Sequence, residues 1–229
     1  IIGAMRSHTR GLVAALGVGS SLLLAAGCSN DEAASTSTTA ADGELWNIRV
    51  TSVPEPQETR AYIEGALKQR AEGNRLAFAV IDVASGKVIG STSYHDIMPG
   101  IKRVEIGWTW YAKTYQRSHV NTTCKLMLMQ HAFEVLGCAV VGWRASHMNL
   151  ASQRGLERLG AKRDGVLRHH APIRDGKVRD TVMYSMLADE WPAAKEKLEA
   201  KLASGNTQSG APAEVTLAPI TADNLIAVL

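Results

Sequence analysis

A chain of 229 residues, 45% hydrophobic and 21% charged, has enough apolar material to bury one enzyme-sized core with extra segments at its ends. Its 25 basic and 22 acidic residues leave a net charge of only +3, and no cluster of Lys and Arg with interleaved aromatics marks a nucleic-acid groove, so nucleic acid is excluded as an expected partner. The seven histidines are scattered, and His169-His170 has no paired Cys or carboxylate at ligand spacing, so no metal site is expected.

The first segment is unlike the rest. Met5, Arg6 and Arg10 precede an apolar run over 11–26, followed by Leu24-Ala25-Ala26-Gly27-Cys28 and a Ser/Thr/Asp/Glu-rich stretch over 29–42. The run is too short and Gly-rich for a membrane span, which takes about 20 apolar residues. It resembles a bacterial lipoprotein signal peptide, with 1–28 as leader, Cys28 as the lipidated residue and 29–42 as a flexible linker. A membrane is a partner only if that leader is functional.

Beyond the linker, 46–50 reads as extended, and Pro56 opens a helix through Tyr62, Ile63, Ala66 and Leu67 that Gly73 can close. A hairpin follows, with strands over 77–83 and 88–94 and Ser85-Gly86 in the turn. The strand Val104-Glu105-Ile106-Gly107-Trp108-Thr109-Trp110 alternates so that Val104, Ile106, Trp108 and Trp110 share one face, as core residues, and Glu105, Gly107 and Thr109 the other. The loop Gln116-Arg117-Ser118-His119-Val120-Asn121 then delivers a helix carrying the apolar stripe Leu126, Met129, Phe133 and Leu136. Free N–H groups, the positive end of the helix and the side chains of Arg117, His119 and Lys125 would favour an anionic group there. Cys124 and Cys138 flank this helix ~20 Å apart along its axis, too far for a disulfide. A second strand and helix follow, then strands over 166–168 and 177–186 around Arg174-Asp175-Gly176, and a terminal helix over 190–202.

The strand and loop, with Asn149, Ser152 and Leu159-Gly160, resemble the GNAT superfamily of acetyl-CoA-dependent N-acetyltransferases, in its Rim-type branch that modifies protein N-termini. The resemblance runs over about 41–202. It implies an α/β fold, a mixed, mostly antiparallel sheet flanked by helices, over residues 43–202, with acetyl-CoA as co-substrate. It also implies that the coenzyme is held by Thr109, Trp110 and Tyr111 on the strand, by Gln116, Arg117, Ser118, His119, Val120, Asn121 and Thr122 in the loop and helix start, and by Asn149 and Ser152. His119 and Asn121 stand where the family places small residues, and Leu156 where many relatives place a Tyr that protonates the leaving thiolate. Because acetyl-CoA is a cytoplasmic metabolite, the resemblance implies a cytoplasmic enzyme; the leader implies instead a lipid anchor in the bacterial envelope through Cys28, with a non-catalytic GNAT-like domain as the competing reading.

The family's opening strand is missing from its usual place. A matching piece, Glu214-Val215-Thr216-Leu217-Ala218-Pro219-Ile220 with Thr221 capping a helix start, ends the chain beyond a linker over 203–213. Three accounts are open for 214–229: a truncated second domain, an accidental fusion, or a strand that pairs back onto the sheet.

Acetyl transfer needs a neutral amine, so a base must take its proton. Glu105 is the candidate, with a buried ion pair to Arg103, Arg144 or Arg168 as its alternative role. A strand N–H near 107–109 is the natural oxyanion donor. Ser152 is the helix-borne hydroxyl left to hold the thiol by a hydrogen bond, with Tyr184 as a weaker candidate acid or a packed aromatic. Trp143 and Arg144 are placed to border the channel of the acceptor, an amine and by resemblance a protein N-terminus.

Overall fold

The computed structural model describes residues 54, 56–173, 176–205 and 214–220. The leader and Cys28, the linkers over 29–42 and 206–213, the extended stretch 46–50, Arg174-Asp175 and the expected cap at Thr221 lie outside the described residues.

Seven strands form one sheet in the order β5-β6-β4-β3-β2-β1-β7, where β1 is Arg75–Asp82, β2 Val88–Met98, β3 Arg103–Tyr111, β4 Val140–Ser146, β5 Lys162–Pro172, β6 Val178–Leu187 and β7 Val215–Pro219. All pairings are antiparallel except β3 with β4. Among the described residues four α-helices flank it: α1 Thr59–Ala71, α2 Val120–Gln130, α3 Leu150–Leu159 and α4 Trp191–Gly205. This is the α/β architecture that the resemblance implied.

The two faces of the sheet are covered differently. On one, Phe78, Tyr94, Val104, Ile106, Val141 and Trp143 pack with Leu126, Leu128 and Met129 of α2, Leu156 and Leu159 of α3 and Leu198 of α4 in the main core. The apolar stripe of α2 continues through a π-helical turn, His131–Val135, before Leu136. On the other face α1 buries Ile63 and Ala66 against Ala77 and Ala79 of β1. Cys124 and Cys138 are both free and buried.

Of the three accounts of the tail, the structure has the strand paired to the sheet. β7 runs antiparallel to β1 from Phe78↔Pro219 to Asp82↔Val215. Leu217 and Val215 join the main core, and Ile220 joins the α1 cluster. Arg70 Nη1 donates to the Ile220 carbonyl at 2.8 Å and the Ile220 amide to the Ala77 carbonyl at 2.9 Å, so the strand is tied to both β1 and α1.

Two expectations are corrected. β5 is eleven residues long rather than the three expected over 166–168, because almost every residue of it is exposed and no alternation betrays it. The face assignment of β3 fails midway: the register with β2 jumps between Ser91↔Trp110 and Ser93↔Gly107, a bulge at which Trp108 takes φ +52°. Beyond it parity is reversed. Val104, Ile106 and Tyr111 face the main core, whereas Trp108 is 39% exposed and is not a core residue, and Trp110 is only partly buried.

Candidate active site

Parallel β3 and β4 pair only at Arg103↔Val140, Val104↔Val141 and Glu105↔Gly142. Past Glu105 and Gly142 they separate, and a cavity of about 750 Å³ fills the gap, bounded by the end of β3, the start of α2, the outer half of β4 and α3.

Of the expected coenzyme ligands, Thr109, Trp110, Tyr111, Gln116, Arg117, Asn121, Asn149 and Ser152 line this cavity. Gln116 Nε2 donates to the Tyr111 carbonyl at 3.1 Å, bracing the loop against β3. Asn149 caps α3 by accepting from the Ser152 amide at 3.0 Å. Four expected side chains lie outside the lining. Val120 and Thr122 are buried, and Ser118 Oγ donates to the Tyr115 carbonyl at 2.6 Å while accepting from the Val120 amide at 3.2 Å. His119 is half-buried at the N-cap of α2 with φ −67°, ordinary helical backbone that demands no glycine, and it does not enter the cavity. The left-handed residue of the loop is Arg117, at φ +59°.

The opposite face carries a polar cluster. Glu105 is fully buried between two guanidinium groups: Arg103 Nη2 donates to Oε1, Arg144 Nη2 donates to Oε1 at 3.2 Å, and Arg144 Nε lies 2.7 Å from Oε2. Arg144 also reaches Asp96 at 2.8 Å. This is the ion-pair arrangement left open by the sequence, made by Arg103 and Arg144 without Arg168. Burial raises the Glu105 pKa above its ordinary value, and the two arginines hold it back.

His95, on β2 directly across from Glu105, places Nε2 3.9 Å from Oε2. Burial first, then the positive charge of Arg144, pulls its imidazole down to about 4, so it is neutral at physiological pH. Two glycines make the room. A Cβ on Gly107 would lie 2.3 Å from His95 Nε2, and one on Gly142 2.9 Å from Glu105 Cγ. Thr109, expected beside Glu105, has moved to the core side with the bulge and pairs with Thr92 Oγ1 at 2.8 Å. Trp108 takes its place on the polar side, over Arg75 at 4.3 Å and beside Tyr62.

Ser152 is half-buried and lines the cavity, and Leu156 lines it beside Trp143 and Arg144. Tyr184 is packed in the core, donates to Glu157 Oε1 at 3.0 Å and does not reach the cavity, which removes it as a candidate acid. Among the described residues no group of three His, Cys, Asp or Glu could hold a metal ion. His95 was missed because its importance lies in the β2–β3 register, which no single strand displays.

The family model for the acetyltransferase (GNAT) domain matches residues 22–162. A solved structure assigned as an acetyltransferase is similar at 36% identity and TM-score 0.66, covering 76% of this chain and 90% of that one. A GCN5-related N-acetyltransferase from Brucella melitensis is similar at 33% identity and TM-score 0.65, covering 80% and 81%. Mycobacterium smegmatis RimJ in complex with CoA-disulfide, at 19% identity, TM-score 0.58 and coverage of 74% and 83%, shares the fold. No curated protein matches.

Proposed function

Because the chain belongs to the GNAT family of acetyltransferases, we propose that it moves the acetyl group of acetyl-CoA to an amine, with the α-amine of a protein N-terminus as the acceptor. The observation that carries this reading is the opening of β3 from β4 beyond Glu105 and Gly142, with a capped helix start on one side and the polar cluster on the other.

The residues of the cavity fit a CoA thioester. Trp110 and Trp143 line it with their indole rings, a flat apolar wall for the coenzyme's arm. The loop over 116–121 and the start of α2 provide for a diphosphate, and Ser152 is the hydroxyl available to the sulfur. When bound, the coenzyme supplies an acyl group activated as a thioester.

On the polar face, Glu105 is committed to its arginines and serves to orient them and His95. The neutral imidazole of His95, which lines the cavity, is the group free to take the amine's proton. It is a weak base, and the charges around it, Arg75, Arg103 and Arg144 against Asp96 and Glu105, favour an uncharged acceptor. Such a site works best on amines that are already largely neutral. An α-amine, with a pKa of about 7.7–8.0, meets that condition far better than a Lys side chain at about 10.4. The amine preference thus follows from the absence of a strong base.

The test is acetyl transfer from acetyl-CoA to two peptide pools, one with free α-amines and blocked lysines, the other the reverse, read by mass spectrometry. Faster modification of the α-amine pool is expected. Equal or preferred lysine modification overturns the acceptor assignment, and no transfer to either pool overturns protein as the substrate class.

A further inference from the structure

Lys125 lies in the second turn of α2, 5% exposed, yet lines the cavity. Its Nζ donates to Thr109 Oγ1 at 3.1 Å, and that hydroxyl also pairs with Thr92 Oγ1. No carboxylate of the described residues comes within ion-pair distance of it. An ammonium buried beside one neutral hydroxyl is expensive, and among the described residues Thr109 Oγ1 is the one acceptor for its three N–H groups. Burial pulls its pKa down to about 8, so it is still mostly charged at neutral pH.

Its place on the helix says what should meet it. Asn121 and Lys125 are four residues apart on one face of α2 and both line the cavity, so Lys125 stands about 6 Å further along the axis than the loop that receives a diphosphate. Further along β3 from Thr109, Gly107 lines the cavity beside His95, and Ser152 lines it from α3. A ligand that reaches from the loop to His95 passes the ammonium.

We propose that Lys125 is a donor-binding residue that hydrogen-bonds an oxygen of the arm joining the coenzyme's diphosphate to its thioester. This rests on the coenzyme assignment above. It gives Lys125 a role distinct from a contribution to the positive field at the loop, because its head is turned into the cavity toward β3. Thr109 positions the ammonium, which accounts for the reversed parity beyond the bulge: without the extra residue at Trp108, Thr109 would face the opposite side of the sheet.

Calorimetry on the full chain tests it, with CoA and, separately, adenosine 3′-phosphate 5′-diphosphate, which keeps the diphosphate and lacks the arm. Lys125→Met should weaken CoA binding by about ten- to a hundredfold, the range for a hydrogen bond to a charged group, and leave the affinity for the arm-less nucleotide within about twofold of wild type. Lys125→Gln, which keeps a donor, should fall between. Equal CoA affinity in wild type and Lys125→Met overturns the proposal, as does an equal loss for both ligands, which would place the ammonium at the phosphates. Failure of the wild type itself to bind CoA would instead overturn the coenzyme assignment. A thermal melt of each variant without ligand reports folding independently, and the Met variant should melt no lower than wild type because it relieves a buried charge.

Discussion

The two faces of the sheet meet at β3 and β4 but are built on opposite principles. The face under α2, α3 and α4 is mainly apolar, with Phe78, Tyr94, Val104 and Val141 each at most 1% exposed. The face beyond α1 is polar where β2, β3 and β4 meet, with Glu105, His95, Arg103 and Arg144 packed where hydrophobic residues would be more stable. The first face fixes where the strands lie; the second uses that fixed position to hold charges close together. The gap between β3 and β4 connects the two, so a coenzyme held from the core side can meet an acceptor from the polar side.

The tail strand serves both faces, so its removal should break the comparison most severely. A chain ended at Gly205 loses the burial of Val215, Leu217 and Ile220, each worth roughly 1.5–3 kcal/mol, or roughly 4.5–9 kcal/mol together. The melting midpoint should drop by roughly 10 °C or more. An unchanged midpoint would show that β7 is not part of the folded sheet.

Next come substitutions that affect one face and spare the other. Phe78→Ala removes a ring that is 1% exposed and packed edge-on against Tyr94 at 5.7 Å, at a cost of about 4 kcal/mol. Below its melting point that variant should keep kcat/KM within a few-fold of wild type, because Phe78 does not line the cavity. Glu105→Ala strands two guanidinium groups. Arg144 and Arg103 are 37% and 28% exposed in their side chains, so water screens them and the cost should be about 3 kcal/mol, at the low end for a broken buried pair. Here activity should fall by at least about a hundredfold, since His95 loses the carboxylate that orients it. If stability and activity fell in parallel for both variants, the division of labour between the faces would be wrong.

Much of the first face was legible in the sequence, because helical stripes and strand alternation report burial directly. The stripe Leu126, Met129, Phe133 and Leu136 and the strands of the hairpin are examples. Half of the second face was legible. Glu105 and two of its three suggested arginine partners come together, but His95 is placed by cross-strand register, and the bulge at Trp108 inserts a residue that alternation cannot announce. The tail was readable as a strand, whereas its partner was not: Val215 and Leu217 specify a buried face without saying against which neighbour. β5 escaped for the converse reason, since a strand exposed on both sides has no apolar period to display.

The His95 imidazole gives the polar face a pH signature that the apolar face lacks. Its pKa is about 4 in the folded protein and 6.5 by ordinary standards. Between those values the unfolded chain binds more protons than the folded one, so stability is complete above about pH 6.5 and declines as the pH falls toward 4. The loss attributable to this group is about 3–4 kcal/mol at most. His95→Gln should flatten that part of the stability profile, while Phe78→Ala should lower the whole curve and leave its slope in place. A wild-type profile that is flat from pH 6.5 to 4.5, or a slope unchanged in His95→Gln, would count against a buried neutral imidazole.

The smallest effect is expected at β5, which belongs to neither face. Leu167 is 43% exposed and Val166 41%, so replacing either by Thr removes little buried surface and keeps a residue suited to a strand. The change in stability should lie within about 0.5 kcal/mol, in the ordinary range for surface positions. A larger loss would mean that this edge is covered in solution, and it should then depend on protein concentration, because cover supplied by a second chain is governed by mass action. Melting each variant at two concentrations a hundredfold apart separates the cases: equal small shifts keep β5 as a solvated edge, whereas a midpoint that rises with concentration in wild type and not in Leu167→Thr would give the sheet a third covered surface.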